Sequence, residues 1–325
     1  MSTFKEIRGF TIKKYTTNPT NPLLGEMWYN NTTGTLKVYT DLGGTFASGG
    51  ALNVGRNAIR AMGTQTSALA VGGDGSPGPS GATEQYNGTA WTTSPAVMSP
   101  TRNSGGMSTA GTVTAAWYAG GSNPGGRQSN TSHFDGSAGT AGGTYPLTVD
   151  LGGAGTETAG LAWGGTLPGT WYTTTNKYDG TSWTATGSLN TGRTQTTGCG
   201  IQTAALSAGG ETPSLTNASE TFDGSTWTST NNLTQPNAGA CSFGTTASAQ
   251  YCGGTNAPAP NTTDVQSWDG TSWAANPASL ATAVTTNGGA GATGALGFST
   301  GGNPFVTATE EYTDPSFGTQ TVTTS

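Results

Sequence analysis

YNGTAW, residues 86–91, returns as YDGTSW at 178–183, FDGSTW at 222–227 and WDGTSW at 268–273, with a weaker FDGSAG at 134–139 and YTDPSF at 312–317. An aromatic, then Asn or Asp with Gly, then a small residue and Trp reads as strand, tight turn, strand. On a two-residue turn at Asn87-Gly88, Tyr86 pairs with Thr89 and Glu84 with Trp91, setting the two rings diagonally on one face. Six returns of one turn make the period the first quantity to measure.

A second marker keeps the same period. Diglycines stand at 72–73, 120–121, 164–165, 209–210, 253–254 and 301–302, spaced by 48, 44, 45, 44 and 48 residues, while the aromatics Tyr86, Phe134, Tyr178, Phe222, Trp268 and Tyr312 are spaced by 48, 44, 44, 46 and 44. Each diglycine ends an apolar strand, as in SALAVGG at 67–73 and AAWYAGG at 115–121. A further strand precedes it, as in GRNAIRAMG at 55–63, which makes four short strands per repeat. Thr83, Thr131, Thr175, Ser219, Val265 and Thr309 fall three residues before the aromatics, on the other face of the strand.

This order, an apolar strand ending in Gly-Gly, an aromatic before a turn, then Trp, resembles the kelch repeat over residues 51–325. The resemblance implies an all-β, kelch-like β-propeller of six four-stranded blades, or seven if the N-terminal hairpin supplies one. Trp91, Trp183, Trp227 and Trp273 match the pattern, whereas Gly139 stands at the Trp place in the second copy and Phe317 in the last.

Residues 25–39, GEMWYNNTTGTLKVY, form a different hairpin turning at NNTTG. The string resembles an element of bacteriophage tail-fibre and other virion proteins. FKEIRGFTIKKY before it alternates enough to add a strand to a partner's sheet edge. Residues 1–50 are thus the expected docking segment, with Lys5, Arg8, Lys13, Lys14, Trp28 and Tyr29 as docking residues toward other virion proteins.

Composition narrows the function classes. Only 32% of residues are hydrophobic and 54 of 325 are glycine, so any core is thin and distributed. The net charge is −6: residues 1–50 hold five basic against three acidic side chains, and the remainder six against fourteen. Without a basic stripe, nucleic acid is not an expected partner. No apolar run suits a signal peptide or a membrane span, so synthesis in a host cytoplasm without membrane insertion is expected. Cys199, Cys241 and Cys252 lack metal-ligand spacing and read as small buried hydrophobes.

No enzyme, metal or cofactor is expected. The single histidine, His133, stands where other repeats have Gln85, Lys177, Thr221, Ser267 and Glu311, a variable outward position. Arg56, Arg102 and Arg193 stand 16, 18 and 16 residues before their diglycines. An arginine triad gripping an acidic sugar, as in sialidase propellers, is therefore an alternative to simple repeat inheritance. Gly-rich runs such as GGAGATGALG lack a P-loop lysine.

What differs between repeats is the loop after each diglycine, every one of which contains proline. Arg127, Trp171, Tyr172 and Phe305 in these loops are residue types that anchor ligands. The expectation is a bacteriophage virion structural protein, a tail-fibre or surface appendage that attaches to a host glycan or envelope protein through these loops. The alternatives are a capsid decoration or tail adaptor with an assembly role, and a carbohydrate-active enzyme; a homo-oligomer is compatible with each.

Overall fold

The computed structural model describes residues 12–19, 26–40, 44–76, 78–146, 150–257, 259–314 and 318–322. The chain divides into two compact units, residues 1–44 with 315–325, and residues 45–314.

The first unit holds one four-stranded sheet of Lys13–Tyr15, Met27–Asn30, Thr35–Thr40 and Gly318–Thr321. Its outer pair, Lys13–Tyr15 on Met27–Asn30, is parallel, and the hairpin turns at residues 31–34. Asn30 Oδ1 accepts from the Thr32 and Thr33 amides at 3.0 Å each and so closes that turn. With its parallel pair this sheet is no seventh antiparallel repeat.

The second unit is six four-stranded antiparallel sheets, consistent with propeller blades. The first runs Arg60–Thr64, Ser67–Val71, Thr83–Tyr86, Trp91–Thr93, and the next four keep that order. In the sixth, Gly288–Thr293, Leu296–Thr300 and Thr309–Thr313 are completed by Thr45–Ser48 from the other end of the chain. Phe46 therefore lies opposite Tyr312, the place that the repeat pattern assigns to Phe317, and the two ring centroids are 5.1 Å apart. Phe317 itself lies outside the described residues.

The recurring turn is longer than Asn87-Gly88 alone. Tyr86 pairs directly with Trp91 and Glu84 with Thr93, so the loop has four residues and the rings stack at 4.9 Å. The side chain at its first position decides this: Asn87 Oδ1 accepts from both the Thr89 and Ala90 amides at 2.9 Å. Asp135, Asp179, Asp223 and Asp269 do the same in their repeats. Gly88, Gly136, Gly180, Gly224 and Gly270 take the positive φ that follows.

Both glycines of every diglycine have positive φ. The first donates within its sheet, as Gly164 N–H does to Thr174 at 3.0 Å. The second donates to the following sheet: Gly73 to Arg102 O, Gly165 to Arg193 O, Gly210 to Asn237 O, Gly254 to Val284 O, and Gly302 of the sixth sheet to Arg56 O of the first, at 2.8–3.1 Å. Space is as restrictive as conformation, since a Cβ on Gly72, Gly164 or Gly209 would sit 2.5–2.6 Å from that same carbonyl.

The expected thin core is six small clusters, each shared by two sheets. One joins Ala61, Ala68, Tyr86 and Trp91 of the first sheet to Ala290 and Phe298 of the sixth. Three of the turn indoles cross to the preceding sheet: Trp91 Nε1 donates to Thr309 Oγ1, Trp183 to Thr131 and Trp227 to Thr175, at 2.8–2.9 Å, whereas Trp273 Nε1 has no partner. Of the small residues three before the aromatics, Thr131, Thr175 and Thr309 thus serve as buried acceptors for these rings.

Three outcomes test this account. Gly164→Ala should cost the left-handed penalty of roughly 1–2 kcal/mol plus a backbone clash, whereas Gly169→Ala, at φ +80 with nothing within 4 Å of its Cβ, should cost only the former; urea denaturation of both variants separates the two terms. Deleting residues 1–50 should lower the thermal midpoint well below that of a deletion of 1–43, because only the former removes Phe46 and its strand. Finally, amide donors, chiefly those of Ala138, Ser182, Thr226 and Ser272, hold the Asp135, Asp179, Asp223 and Asp269 carboxyls below their usual range. Depressed folded values mean stability that is present above the ordinary carboxylate pKa and lost as pH falls through the folded values, so the urea midpoint should drop below about pH 4. Asp223→Asn, which keeps the acceptor and removes the titration, should flatten that drop.

Candidate functional site

One position recurs in every repeat two residues before the first strand of its sheet: Ala58, Ser104, Asp150, Gln195, Gly239 and Thr286. All six line one cavity of about 380 Å³. Its volume lies within the ~300–1,000 Å³ span of small-molecule sites. Backbone bonds link the position between neighbouring sheets, from Ser104 N–H to Ala58 O at 3.1 Å, Gly239 to Gln195 at 3.0 Å and Thr286 to Gly239 at 2.5 Å. Ala58, Ser104, Gln195 and Thr286 hold φ of 48°, 55°, 51° and 55°. A left-handed non-glycine residue costs on the order of 1–3 kcal/mol, and for β-branched Thr286 it is a rare conformation, so this position carries strain in four of the six repeats.

Around the ring the cavity carries both charge signs. Arg127 pairs with Asp150, whose carboxyl burial nevertheless pushes above the ordinary value. Arg60 donates through Nε to Gly105 O at 2.6 Å and through Nη1 to Ile59 O at 3.3 Å. Glu211 and Trp171 close the wall.

Of the rim residues expected from sequence, two come together here. Arg127 and Trp171 occupy equivalent places in two-stranded hairpins after their diglycines, opposite Ser122 and Thr166 respectively. Tyr172 is the next residue after Trp171, and strand alternation turns it away from the cavity to pack against the cluster of Trp117, Tyr145 and Tyr178. Phe305 is 47% exposed at φ +61 and does not line the cavity.

In the N-terminal unit, Lys13 and Lys14 are exposed, and Lys13 Nζ lies 3.5 Å from Glu26. Trp28 is fully buried with Nε1 donating to Asn18 Oδ1 at 3.3 Å, while Tyr29 is exposed. Lys5 and Arg8 lie outside the described residues.

The three arginines do not converge. Each is 0% exposed inside its own sheet, and none lines the cavity. Arg56 donates to Gly72 O at 2.8 Å and pairs with Glu84 at 2.6 Å, Arg102 donates to Ser132 Oγ at 2.6 Å, and Arg193 lies 3.1 Å from Glu220. His133 is a joint between two sheets, with its ring nitrogens 2.7 Å from Glu157 and from the Tyr178 hydroxyl. The three cysteines are buried free thiols, as their sequence context suggests, and burial pushes Cys199 up to about 12.

No protein-family model matches the chain, and the search of curated proteins finds no match.

The ring itself escaped the sequence reading. Its members stand 14–16 residues before the diglycine, so an alignment anchored there would have found them. Their identities, Ala, Ser, Asp, Gln, Gly and Thr, carry no common chemical signal.

Proposed function

We propose that the six sheets close into a kelch-like six-bladed propeller, with Thr45–Ser48 completing the last blade, and that this disc is the host-attachment part of a bacteriophage tail fibre or surface appendage. Closure is supported by the first strand of each sheet lying beside that of the next, Gly288–Thr293 beside Arg60–Thr64 included, and by the Gly302 to Arg56 bond. The observation that carries the functional reading is the cavity ring: one backbone position, equivalent in all six repeats, bears six different residues around a polar opening. Repeats that share a scaffold and differ at one lining position suit recognition better than a reaction.

The virion assignment rests on the N-terminal hairpin, whose string resembles phage tail-fibre elements and which folds as a sheet of its own. Docking to other virion proteins belongs to that unit. An acidic-sugar hydrolase is less well supported, because Arg56, Arg102 and Arg193 are spent on carbonyls, Glu84, Ser132 and Glu220. The purified chain should bind intact host cells in a pull-down, and Arg127→Ala with Trp171→Ala should reduce capture at unchanged thermal stability. Undiminished capture would sink the face assignment, and capture of virion proteins alone would make the chain an assembly adaptor.

A further inference from the structure

Two of the chain's three cysteines stand opposite each other. Cys241 and Cys252 are cross-strand partners in the fifth sheet, on the strands Cys241–Gly244 and Ala249–Cys252. The equivalent pairs in the other repeats are Arg60 with Val71, Gly106 with Ala119, Gly152 with Trp163, Thr197 with Ala208 and Gly288 with Thr300, none of which contains a cysteine. Cysteines placed only as small hydrophobes have no reason to meet on one pair.

The pair also has the geometry of a cross-link. Directly opposed residues of an antiparallel ladder have Cα atoms about 4.5 or 5.5 Å apart, and both spacings fall inside the roughly 4.4–6.8 Å that a disulfide spans. Both side chains point to one face, where they share a cluster with Phe243, Val265 and Tyr312. Burial, and after it the Cys241 thiol alongside, push the Cys252 thiol well above its ordinary value. Cys199 has no such neighbour. It stands opposite Leu206, and its Sγ lies 3.9 Å from the carbonyl of Thr245, a residue about 13 Å along the extended chain from Cys241.

We infer that Cys241 and Cys252 close a cross-strand disulfide when the chain folds in the presence of a low-molecular-weight disulfide, a condition met outside a reducing cytoplasm. One cysteine thiolate attacks the oxidant's S–S bond, which releases a small thiolate and leaves a mixed disulfide. The other cysteine thiolate attacks the protein sulfur of that bond and releases the second small thiolate. The two cysteine protons end on the two small thiols, so one disulfide is reduced and two cysteines are oxidised. In the folded chain Cys241 and Cys252 are 3% and 0% exposed, so the exchange belongs to the hairpin before the sixth sheet packs on it, where a Cβ on Gly289 would lie 2.7 Å from Cys241 Sγ. Cys252 runs directly into Gly253 and Gly254, and Gly254 donates to Val284 O, so the cross-link braces the joint between the fifth and sixth sheets. None of this depends on the attachment reading.

Refolding the full chain from urea with oxidised glutathione, then alkylation and peptide mapping by mass spectrometry, tests the inference. The expected product is a monomer with Cys241 linked to Cys252 and Cys199 alkylated. Its folded-to-unfolded ratio should exceed that of chain refolded with reductant by about tenfold or more, because a short loop is closed, and reduction in urea should erase the gain. Cys199→Ala should keep this redox effect, and Cys241→Ala should remove it. Alkylation of all three cysteines after oxidative refolding, a link to Cys199, links between chains alone, or a linked monomer no more stable than the reduced one would each overturn it.

Discussion

The bond from the second glycine of each diglycine to the carbonyl of the next repeat is the constraint on which the rest depends. Among the described residues it is made in five of the six repeats. One such bond contributes only about 1 kcal/mol net, but an unmade one buries an orphan amide at greater cost. Its acceptor residue is itself anchored: Arg56 holds Gly72 O and Asn237 holds Gly253 O through their side chains. At Arg56 and Asn237 the chain is thereby tied both to the second strand of its own sheet and to its neighbour, and the left-handed backbone with a carbonyl close by favours glycine.

Glycine also explains how so little apolar material makes a core. The first strands run close together: a Cβ on Gly106 would meet Gly152 O at 2.9 Å, one on Gly153 the Met107 amide at 2.6 Å, and one on Gly289 the Cys241 side chain at 2.7 Å. Removing side chains there lets neighbouring sheets approach until the Trp, Tyr and Phe rings farther out fill the remaining space. Six small clusters each joining two sheets then replace one large core, and each indole that reaches a threonine in the preceding sheet adds a directional bond to a non-directional contact.

The same crowding produces the site. Where the chain enters each first strand it must turn sharply, and four non-glycine residues do so at positive φ, a strain that packing against the neighbouring sheets has to hold in place. Scaffold positions such as the diglycines and the turn aspartates repeat because one geometry recurs. The ring position accepts any side chain that tolerates the turn, so it is free to differ. Variation at fixed geometry is what the proposed recognition role would use.

Local chemistry made much of this legible from residues alone: the strand order, the aromatic turn and the need for paired glycines follow from patterns within one repeat, and the period and number of repeats from their recurrence every 44–48 residues. Arg127 and Trp171 were also visible as anchor types. The four-residue pairing of Tyr86 with Trp91 was not, because Asn87 is compatible with either turn until its side chain chooses two amides. Nor was Phe46, since the turn pattern points to nearby Phe317, and only the unpaired edge of Thr309–Thr313 selects a strand from the opposite end of the chain. Tertiary structure alone decided that Tyr172 packs inward, that the three arginines stay apart, and that six unrelated residues meet around one cavity: each depends on where distant strands converge in space, which no local pattern encodes.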